Sequence, residues 1–508
     1  MEKRLVLAIA LSLLVLLSWS AIIPKSQLID NKGVMIDKQQ TQLSAQQADS
    51  SMQTPISIQS NLNTTKETVR FTQEGREIIF DPTNATIVEV VFKNKLEHHL
   101  PLKIGLFSSE HAFKQQSITR DQISFVYQDQ NLQIVKRFII PNNSYIIGLD
   151  IETRNLSSSP ILLHPQLMLG RLDLSTKNAQ ARYQDILLSG KEKTLHLSPG
   201  KNFTTTDIKF IGLRDQYFCA IVEPTNAISS AFIRKINTQE AEIGIIGNEL
   251  TLKPGEQIGH SYRIYLGPQD LKTISSIKSD WSTIVYYGTF DFIAQLLLQL
   301  LGLFYSLVHN WGWAIIILSL VVYFLLFPLS LKQMRSMKEM QALQPKIEAL
   351  RKELKDNPQR LNKEIMELYK EHKVNPLGGC LPLLLQMPIF FALYQALIRS
   401  VSLRGAHFLW IKDLSSPDQF FTLKFALPVL GNQINILPIL MAIGMFVQQK
   451  ISTVKATGEA AQQQKIMSII MPVMFGVIFY HMPSGLVLYW FVNSALMLFY
   501  QLRMNRQK

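Results

Sequence analysis

The side chains that could do chemistry in the C-terminal half are uncharged hydrogen-bonding groups set inside long apolar stretches. At helical spacing, members of the same stretch lie on roughly one face. They are Ser319, Tyr323, Gln386, Tyr394, Tyr489 and Asn493, with the aromatic Trp490 beside them. Such groups are costly inside a membrane unless they face protein or water. We expect three helices to bring them together around one hydrophilic cavity, the alternative being that each cross-links neighbouring helices.

Histidines are the side chains with catalytic potential in the segment 24–291. They are His98, His99, His111, His164, His196 and His260. None stands in a recognisable catalytic spacing, so an enzyme acting on sugars is an alternative that only fold analogy would support. The two cysteines, Cys219 and Cys380, lie in different segments, which excludes a disulfide framework, and no zinc spacing exists. We therefore expect no catalytic residue, no metal and no cofactor.

Five uncharged runs must position the polar groups. They cover residues 5–23, 292–331, 375–398, 425–449 and 466–502. About 20 apolar residues cross a hydrocarbon core about 30 Å thick as a helix. The second run is too long for one span, and Pro483 and Gly485 divide the last run. The sequence predicts six transmembrane helices at residues 1–23, 310–331, 375–398, 429–449, 466–481 and 485–502, and an interfacial amphipathic helix at 286–309.

The first run follows Lys3 and Arg4 and resembles either a signal anchor or a cleaved signal peptide. A signal peptide has a shorter apolar region and a small-residue cleavage site. The sequence Trp19-Ser20-Ala21-Ile22-Ile23-Pro24 is a poor cleavage site, so we expect an uncleaved anchor.

The charge distribution predicts the topology. The chain carries a net charge of +13, yet residues 24–291 have 28 basic and 27 acidic side chains. Basic residues between apolar spans indicate the positive-inside rule rather than nucleic-acid binding. The N-terminus, the loops 332–374 and 450–465, and the tail 503–508 are therefore predicted to be cytoplasmic. Residues 24–285 and the loop 399–428 are predicted to lie outside.

The external segment begins with a Gln, Ser and Thr-rich stretch, residues 24–66, which is typical of a flexible tether. Short β-rich runs separated by Gly, Pro, Asn and Asp follow. Examples are residues 69–72, 87–92 and 262–266. This pattern predicts an all-β sandwich over residues 67–285.

The loop 332–374 has helical periodicity on a soluble background. One apolar face contains Leu343 and Ile347, a second contains Ile365 and Leu368, and Pro358 separates them. The sequence predicts an antiparallel helical hairpin. A solvated charged loop is the alternative.

Several short motifs stand between residues 310 and 490. They are Asn310-Trp311-Gly312-Trp313, Phe327-Pro328-Leu329-Ser330, Leu343-Gln344-Pro345-Lys346-Ile347, Lys373-Val374-Asn375-Pro376-Leu377-Gly378-Gly379-Cys380, Gln386-Met387-Pro388-Ile389-Phe390, Leu409-Trp410-Ile411-Lys412-Asp413-Leu414 and Pro483-Ser484-Gly485-Leu486-Val487-Leu488-Tyr489-Trp490. From about Tyr287 to Tyr500 the chain resembles the YidC/Oxa/Alb family of membrane protein insertases. The anchor and large external domain resemble the Gram-negative type.

The resemblance implies a polytopic α-helical protein of the bacterial inner membrane that inserts membrane proteins and acts as their chaperone. It implies a five-helix core whose hydrophilic groove is open to the cytoplasm and lipid and receives nascent transmembrane segments. The polar residues above then line the substrate groove, and the external domain is a β-supersandwich that contacts the Sec translocon. The cytoplasmic hairpin, with Lys346, Arg351 and Lys352, is implied to contact the ribosome or the signal recognition particle pathway. Neither nucleotide nor metal is implied.

One position departs from the family. The family groove carries an arginine in the second span, and the matching residue here is Tyr323, about midway between Trp313 and Lys332. Arg399 lies thirteen residues beyond Gln386, about 20 Å along a helix, and cannot replace it. We expect this groove to hold substrate by hydrogen bonds, without a fixed positive charge.

A small-solute transporter is the main alternative, because intramembrane polar residues and broken helices can build a solute site. The sequence has no internal repeat and no embedded acid or base that would couple an ion gradient. Capture of nascent chains would favour the insertase, and solute binding would favour the transporter.

Overall fold

The computed structural model describes residues 68–506 except 74, 94–96, 109–110, 175–182, 191–192, 198–200, 207, 227, 229, 355–356, 373, 375–380, 428–430 and 453–458. The predicted anchor and tether, residues 1–66, lie outside the described residues. The chain divides into two compact units. The first is made of the described residues within Met1–Phe92, His99–Leu213 and Ala220–Leu266, and the second of those within Lys93–His98, Arg214–Cys219 and Gly267–Lys508.

Nineteen strands follow one another along the described residues from 69 to 268. They are β1 (Val69–Gln73), β2 (Arg76–Asp81), β3 (Thr86–Lys93), β4 (Glu97–Leu106), β5 (Lys114–Ile118), β6 (Gln122–Gln128), β7 (Leu132–Ile139), β8 (Ile146–Asn155), β9 (Ile161–Leu163), β10 (Gln166–Asp173), β11 (Asp185–Ser189), β12 (Thr194–Leu197), β13 (Phe203–Thr205), β14 (Phe210–Arg214), β15 (Phe218–Pro224), β16 (Ser230–Lys235), β17 (Glu240–Ile246), β18 (Leu250–Leu252) and β19 (Gln257–Pro268). The three runs predicted as strands lie within β1, β3 and β19. This confirms the prediction of a β-rich domain.

The strands form one large sheet and three smaller ones in the described chain. The large sheet has the order β12-β11-β14-β15-β19-β8-β7-β6-β5, and the others are β1-β2-β3-β4, β10-β17-β16-β13 and β18-β9. In β8, Ile147, Leu149 and Ile151 are buried and their neighbours are half-buried, as expected when side chains alternate between two faces. The Phe80 ring of β2 meets Phe138 of β7 edge-on at 5.1 Å, so two sheets share an aromatic core.

Helices dominate the second unit. They are α1 (Leu271–Ile277), α2 (Asp291–Val308), α3 (Trp311–Ala342), α4 (Gln344–Glu353), α5 (Pro358–Glu371), α6 (Leu381–Arg399), α7 (Ile436–Ser452), α8 (Glu459–Phe479) and α9 (Ser484–Arg506), with a hairpin of β20 (Phe421–Leu427) and β21 (Gly431–Ile434) before α7. Helix α9 packs on α3, α6 and α7, and α2 packs on α3 and α6. We call the end of this bundle where α3, α7 and α9 begin the loop end.

Three helices in the described part of the chain are long and apolar enough to cross a membrane. They contain Asp291–Val308, Trp311–Leu331 and Ser484–Arg503, and Ile436–Ile451 and Ser468–Phe479 are shorter apolar helices. Apolar helices in the C-terminal part thus agree with the prediction, whereas the count of six spans stays a prediction. Helix α2, predicted to lie in the interface, is also long enough to cross.

Helix α3 extends beyond the uncharged run that predicts it. The Asn310 side chain caps its first turn by accepting the N–H groups of Gly312 at 2.9 Å and Trp313 at 3.2 Å. The helix then continues to Ala342 through lysine, glutamine, methionine and arginine, which are good helix formers. The bundle and the following α4 are therefore joined by continuous helical backbone up to a break at Leu343.

Candidate functional site

A hydrogen bond joins two of the predicted polar residues across the bundle. Nε2 of Gln386 in α6 donates to the hydroxyl of Tyr489 in α9 at 2.5 Å. Tyr489 is fully buried and Gln386 is half-buried. On the next turn of α9, Nδ2 of Asn493 donates to the Tyr489 carbonyl at 2.8 Å. Helices α6 and α9 thus share a polar seam.

Ser319 has a different environment. Its hydroxyl donates to the Ile315 carbonyl, one turn earlier in α3, at 2.7 Å, and its side chain is fully buried. Serine hydroxyls in membrane helices commonly make this bond to their own backbone. The Ser319 hydroxyl is therefore already satisfied within its helix.

Tyr323 lies one turn further along α3 and is half-buried. Its ring is 5.8 Å from the ring of Phe327, which in turn meets Tyr500 of α9 edge-on at 5.0 Å. Within the described part of the chain, no group hydrogen-bonds the Tyr323 hydroxyl. This hydroxyl, unlike that of Ser319, remains available.

The other two predicted residues differ in their surroundings. Tyr394 is half-buried in α6, two turns after Gln386. Trp490 packs among Phe390, Phe475 and Phe479 at ring distances between 5.3 and 5.8 Å. Its contacts in the described chain are those of an aromatic cluster that joins α6, α8 and α9.

The loop end contains a buried polar network that was not predicted from the sequence. Nδ2 of Asn435 donates to the Tyr480 carbonyl at 2.7 Å, and the Tyr480 hydroxyl donates to the Gln433 carbonyl at 2.8 Å. Oδ2 of Asp418 accepts the Leu437 N–H at 2.7 Å and so satisfies the first turn of α7. Asn435 and Asp418 are both 2% exposed. The network links the loop before α7 to the end of α8.

The start of α9 is fixed to the loop after α6. The Ser484 hydroxyl donates to the Asp413 carbonyl at 2.9 Å, and the Gly485 N–H donates to the Leu414 carbonyl at 2.9 Å. A Cβ on Gly485 would lie 3.0 Å from that carbonyl oxygen and 3.1 Å from Cδ1 of Ile315. Glycine therefore allows the close approach of two backbones at this point.

Gly312 has the same role at the start of α3. A Cβ there would lie 2.0 Å from Cγ of Phe408. The Phe408 ring also meets Trp313 edge-on at 5.7 Å. The motif Asn310-Trp311-Gly312-Trp313 thus caps α3. Its glycine leaves room for the ring of Phe408, which belongs to the loop after α6.

The second unit also includes a turn formed by Arg214–Cys219. Nε2 of Gln216 donates to the Ile398 carbonyl near the end of α6 at 2.8 Å, and the Tyr217 hydroxyl lies 3.3 Å from Oγ of Ser415. His98 pairs with Asp215 at 3.1 Å. These contacts add polar partners to the loop end.

At the opposite end, α4 and α5 pack on each other. Leu343, Ile347 and Val374 are buried and pack with Ile365 and Leu368. Nζ of Lys346 is 3.0 Å from Nε2 of His372. Arg351 and Lys352 are exposed in the last turn of α4, where positive charges interact favourably with the helix dipole. These three basic residues therefore lie on one small helical hairpin.

The polar seam of α6 and α9 is suited to binding. Among the described residues, no group of three or more His, Cys, Asp or Glu side chains could hold a metal ion. The polar seam contains only amide and hydroxyl groups, which can exchange hydrogen bonds with a peptide.

Family models match most of the chain. Residues 303–508 match the model described as 60Kd inner membrane protein, and residues 81–300 match that of the YidC periplasmic domain. A membrane protein insertase YidC of Geotalea daltonii is 32% identical over 547 residues, covering 100% of this chain and 99% of that relative. The chain belongs to the YidC family of membrane protein insertases. It is thus an insertase of the inner membrane and not an enzyme, and its β-rich unit is the periplasmic domain of the family.

Other YidC proteins are similar over shorter lengths or at lower identity. That of Syntrophobacter fumaroxidans is 36% identical over 392 residues, covering 74% of this chain and 69% of the relative. A solved YidC from Thermotoga maritima is 16% identical with a TM-score of 0.34, covering 86% of this chain and 98% of that structure. The family models and the sequence relatives rule out the two alternatives, a small-solute transporter and an enzyme acting on sugars.

The polar loop end was not predicted from the sequence. Its members are Asp418, Asn435, Tyr480, Ser484 and Gly485. Ser484 and Gly485 stood within a motif, but only as residues of a turn between helices. A single asparagine directly before an apolar run was the available signal for Asn435, since such residues commonly satisfy helix starts.

Proposed function

We propose that this insertase receives a nascent transmembrane segment in a groove between α3, α6 and α9. The groove opens to the cytoplasm and lipid and is closed at the loop end, which faces outward. The observation that carries the proposal is the contrast between the middle of the bundle and its loop end. The half-buried Tyr323 has an available hydroxyl, while Asn435 and Asp418 at the loop end are buried and hydrogen-bonded.

A partly hydrated groove lowers the barrier to insertion in a simple way. A polar external segment must cross less hydrocarbon if it can exchange hydrogen bonds with side chains part of the way. The amide of Gln386 and the hydroxyls of Tyr323 and Tyr394 supply those bonds without a fixed charge. The apolar segment then partitions into lipid, because burial of its surface away from water is favourable.

The orientation proposed here has six spans with both termini in the cytoplasm. It is supported by the basic excess of residues 332–373, with 11 basic and 7 acidic side chains. Helix α2 lies in the interface of the external leaflet. It buries Ala294, Leu297 and Leu301 on one face, whereas Phe292 is 81% exposed on another.

The hairpin of α4 and α5 is the proposed receiving surface for substrates. Arg351 and Lys352 are exposed there, and basic side chains suit contact with ribosomal RNA or with acidic surfaces of the signal recognition particle pathway. The periplasmic domain is proposed to contact the Sec translocon. The insertase acts alone or together with that translocon.

Insertion by the purified protein tests the proposal. A small membrane protein with a short external loop is added to liposomes containing only this insertase, and protease protection of the loop is measured. We expect Tyr323→Phe to reduce protection about fivefold, because a hydrogen bond contributes about 1 kcal/mol. Wild-type activity from Tyr323→Phe would overturn the role given to this hydroxyl.

Ser330→Ala is the matched control. Ser330 lies in the same helix and its hydroxyl donates to the Leu326 carbonyl at 3.3 Å, so its removal also deletes one oxygen atom from α3. We expect this variant to insert at the wild-type rate. An equal loss in both variants would indicate a general effect on α3 and would contradict a specific role of Tyr323.

A further inference from the structure

The hairpin of β20 and β21 presents an apolar face that the described protein does not cover. Phe421 and Phe425 are 57% and 63% exposed. Phe421 is paired with Ile434 of β21 and Thr422 with Gln433, so at this point the apolar pair lies on one face and the polar pair on the other. The register then shifts between Thr422 and Leu427, in the stretch that contains the exposed Phe425.

In the described part of the chain these two strands form a sheet of their own. An isolated two-stranded hairpin is marginally stable in water, and it needs another surface against its apolar side. Exposed phenylalanines in water would also promote aggregation through the free strand edges. The apolar side of the hairpin must therefore be covered either by protein or by lipid.

The height of the hairpin along the bundle indicates which environment that is. Strand β21 ends at Ile434, and α7 begins at Ile436. The network of Asn435 and Tyr480 fixes this junction to the end of α8. Helix α7 has 17 residues, which is about 26 Å at 1.5 Å per residue and close to the thickness of the hydrocarbon core. With α7 as one of the six proposed spans, the base of the hairpin is level with the lipid headgroups.

The apolar surface continues from the hairpin onto α7. Ile439, Leu440 and Ile443 are exposed just after the helix begins. Lys424 is the one charged residue between Asp418 and Lys450. A docking site for another protein usually has a polar rim around its apolar centre, whereas a bilayer needs only the apolar rings and a basic side chain near the phosphates.

We propose that β20 and β21 form a membrane-surface anchor. The exposed rings of Phe421 and Phe425 lie at the boundary between headgroups and acyl chains of the external leaflet, and Thr422 and Lys424 face water and phosphate. The anchor holds the loop before α7 at a fixed depth, and through Asn435 it holds the outer end of α8. The inference rests on the outward orientation of the loop end proposed above.

Spin-label accessibility tests this anchor in the full-length protein. Single cysteines replace Phe425 or Thr422 in a Cys380→Ser background, since the remaining Cys219 is fully buried. The labelled proteins are reconstituted into phosphatidylethanolamine and phosphatidylglycerol vesicles. We expect the label at 425 to collide more with oxygen, which concentrates in lipid, than with a water-soluble nickel chelate. The label at 422 shows the reverse preference.

Two outcomes would overturn the proposal. A label at 425 that prefers the nickel chelate lies in water, and a label at 425 that is inaccessible to both reagents is covered by protein, either a second copy or another chain. Both positions are exposed, so the substitutions leave the buried core intact. The readout does not depend on insertion, so an unimpaired Tyr323→Phe variant would refute the groove and leave the anchor standing.

Discussion

The amide of Gln386 donates a hydrogen bond to the hydroxyl of Tyr489, which joins α6 to α9 inside the bundle. The two partners are not equivalent, because Tyr489 is fully buried and Gln386 is only half-buried. The tyrosine hydroxyl has no access to water, so it depends on Gln386. The glutamine retains a carbonyl oxygen that can accept a further hydrogen bond. This pair is therefore both a link between helices and a candidate contact for substrate.

Gln386→Leu is expected to destabilise the protein by about 1–3 kcal/mol, the cost of leaving a buried hydroxyl unpaired. Adding Tyr489→Phe removes that hydroxyl, so the double variant should regain most of the lost stability. Thermal unfolding of the detergent-purified variants measures both effects. A double variant no more stable than Gln386→Leu would contradict the dependence of Tyr489 on Gln386.

The same double variant separates stability from insertion. If Gln386 also contacts substrate, as proposed, the protein that combines Gln386→Leu with Tyr489→Phe is stable but inserts poorly in the liposome assay. Tyr489→Phe alone keeps the glutamine and should insert better than the double variant. Equal insertion by the two would assign Gln386 a purely structural role.

Ser319→Ala is expected to insert like the wild type, although its residue type and position predict a groove residue. Its hydroxyl is bonded to the Ile315 carbonyl and is fully buried. Removing the hydroxyl loses this weak hydrogen bond, but the Ile315 carbonyl keeps its backbone hydrogen bond within the helix. Protease protection of the same test substrate, measured beside Tyr323→Phe, checks the difference. A loss of insertion as large as that of Tyr323→Phe would indicate that Ser319 contacts substrate in the groove.

The contrast between Ser319 and Tyr323 shows how far the sequence could predict this site. Apolar runs and alternating β-rich segments depend on local periodicity, so the β-rich domain and the apolar helices were predictable. Whether a hydroxyl hydrogen-bonds to the backbone of its own helix depends on its rotamer and its neighbours, and residue type does not determine these. The bonds from Asn435 to Tyr480 span 45 positions of sequence, and no local pattern reports such a pairing.

Trp490 and α3 illustrate two further limits. Trp490 stands next to Tyr489 in the sequence, yet adjacent helical residues point about 100° apart, and its ring lies among phenylalanines. The uncharged run ends at Leu331, whereas α3 continues to Ala342. Charge marks where a chain leaves lipid, but it does not end a helix whose residues favour the helical state.

Gly312→Ala is expected to destabilise the protein by about 1–3 kcal/mol, a typical cost of overpacking. The added Cβ would lie 2.0 Å from Cγ of Phe408, so the ring and its edge contact with Trp313 must move. Combining Gly312→Ala with Phe408→Leu should cost less than the sum of the two single changes, because the smaller side chain makes room. Thermal unfolding measures each variant.

Gly302→Ala is the matched control for that substitution. Among the described residues, apart from its two chain neighbours and the nearby backbone of its own helix, no heavy atom lies within 4 Å of the position where its Cβ would stand in α2. Alanine in a helix interior is favoured over glycine by about 1 kcal/mol, so this variant should be slightly more stable than the wild type. A Gly312→Ala protein as stable as Gly302→Ala would mean that Phe408 does not press against α3.

A buried lysine should make the stability of the periplasmic domain depend on pH. Lys136 in β7 is 1% exposed, its Nζ donates to the Phe107 carbonyl at 2.6 Å, and it lies 4.6 Å from the centre of the Phe113 ring. Burial lowers the pKa of Lys136 from 10.5 to about 7. The unfolded chain therefore binds a proton that the folded domain does not bind between those two pH values. Its stability should rise with pH across that window, and below about pH 7 the cost of the buried charge is fully present.

Lys136→Met removes this titration and keeps an unbranched chain of similar length. Wild-type and variant full-length proteins are digested briefly with protease over a urea series at about pH 6.5, 7.5 and 8.5, values that flank about pH 7, and fragments of the β-rich unit are followed. We expect the wild-type urea midpoint to rise with pH more steeply than that of the variant. The difference between the two slopes isolates Lys136, because every other titrating group is common to both proteins. Equal slopes would mean that Lys136 is charged in the folded domain throughout this range, so that its hydrogen bonds to the Phe107 and Asn84 carbonyls offset the burial.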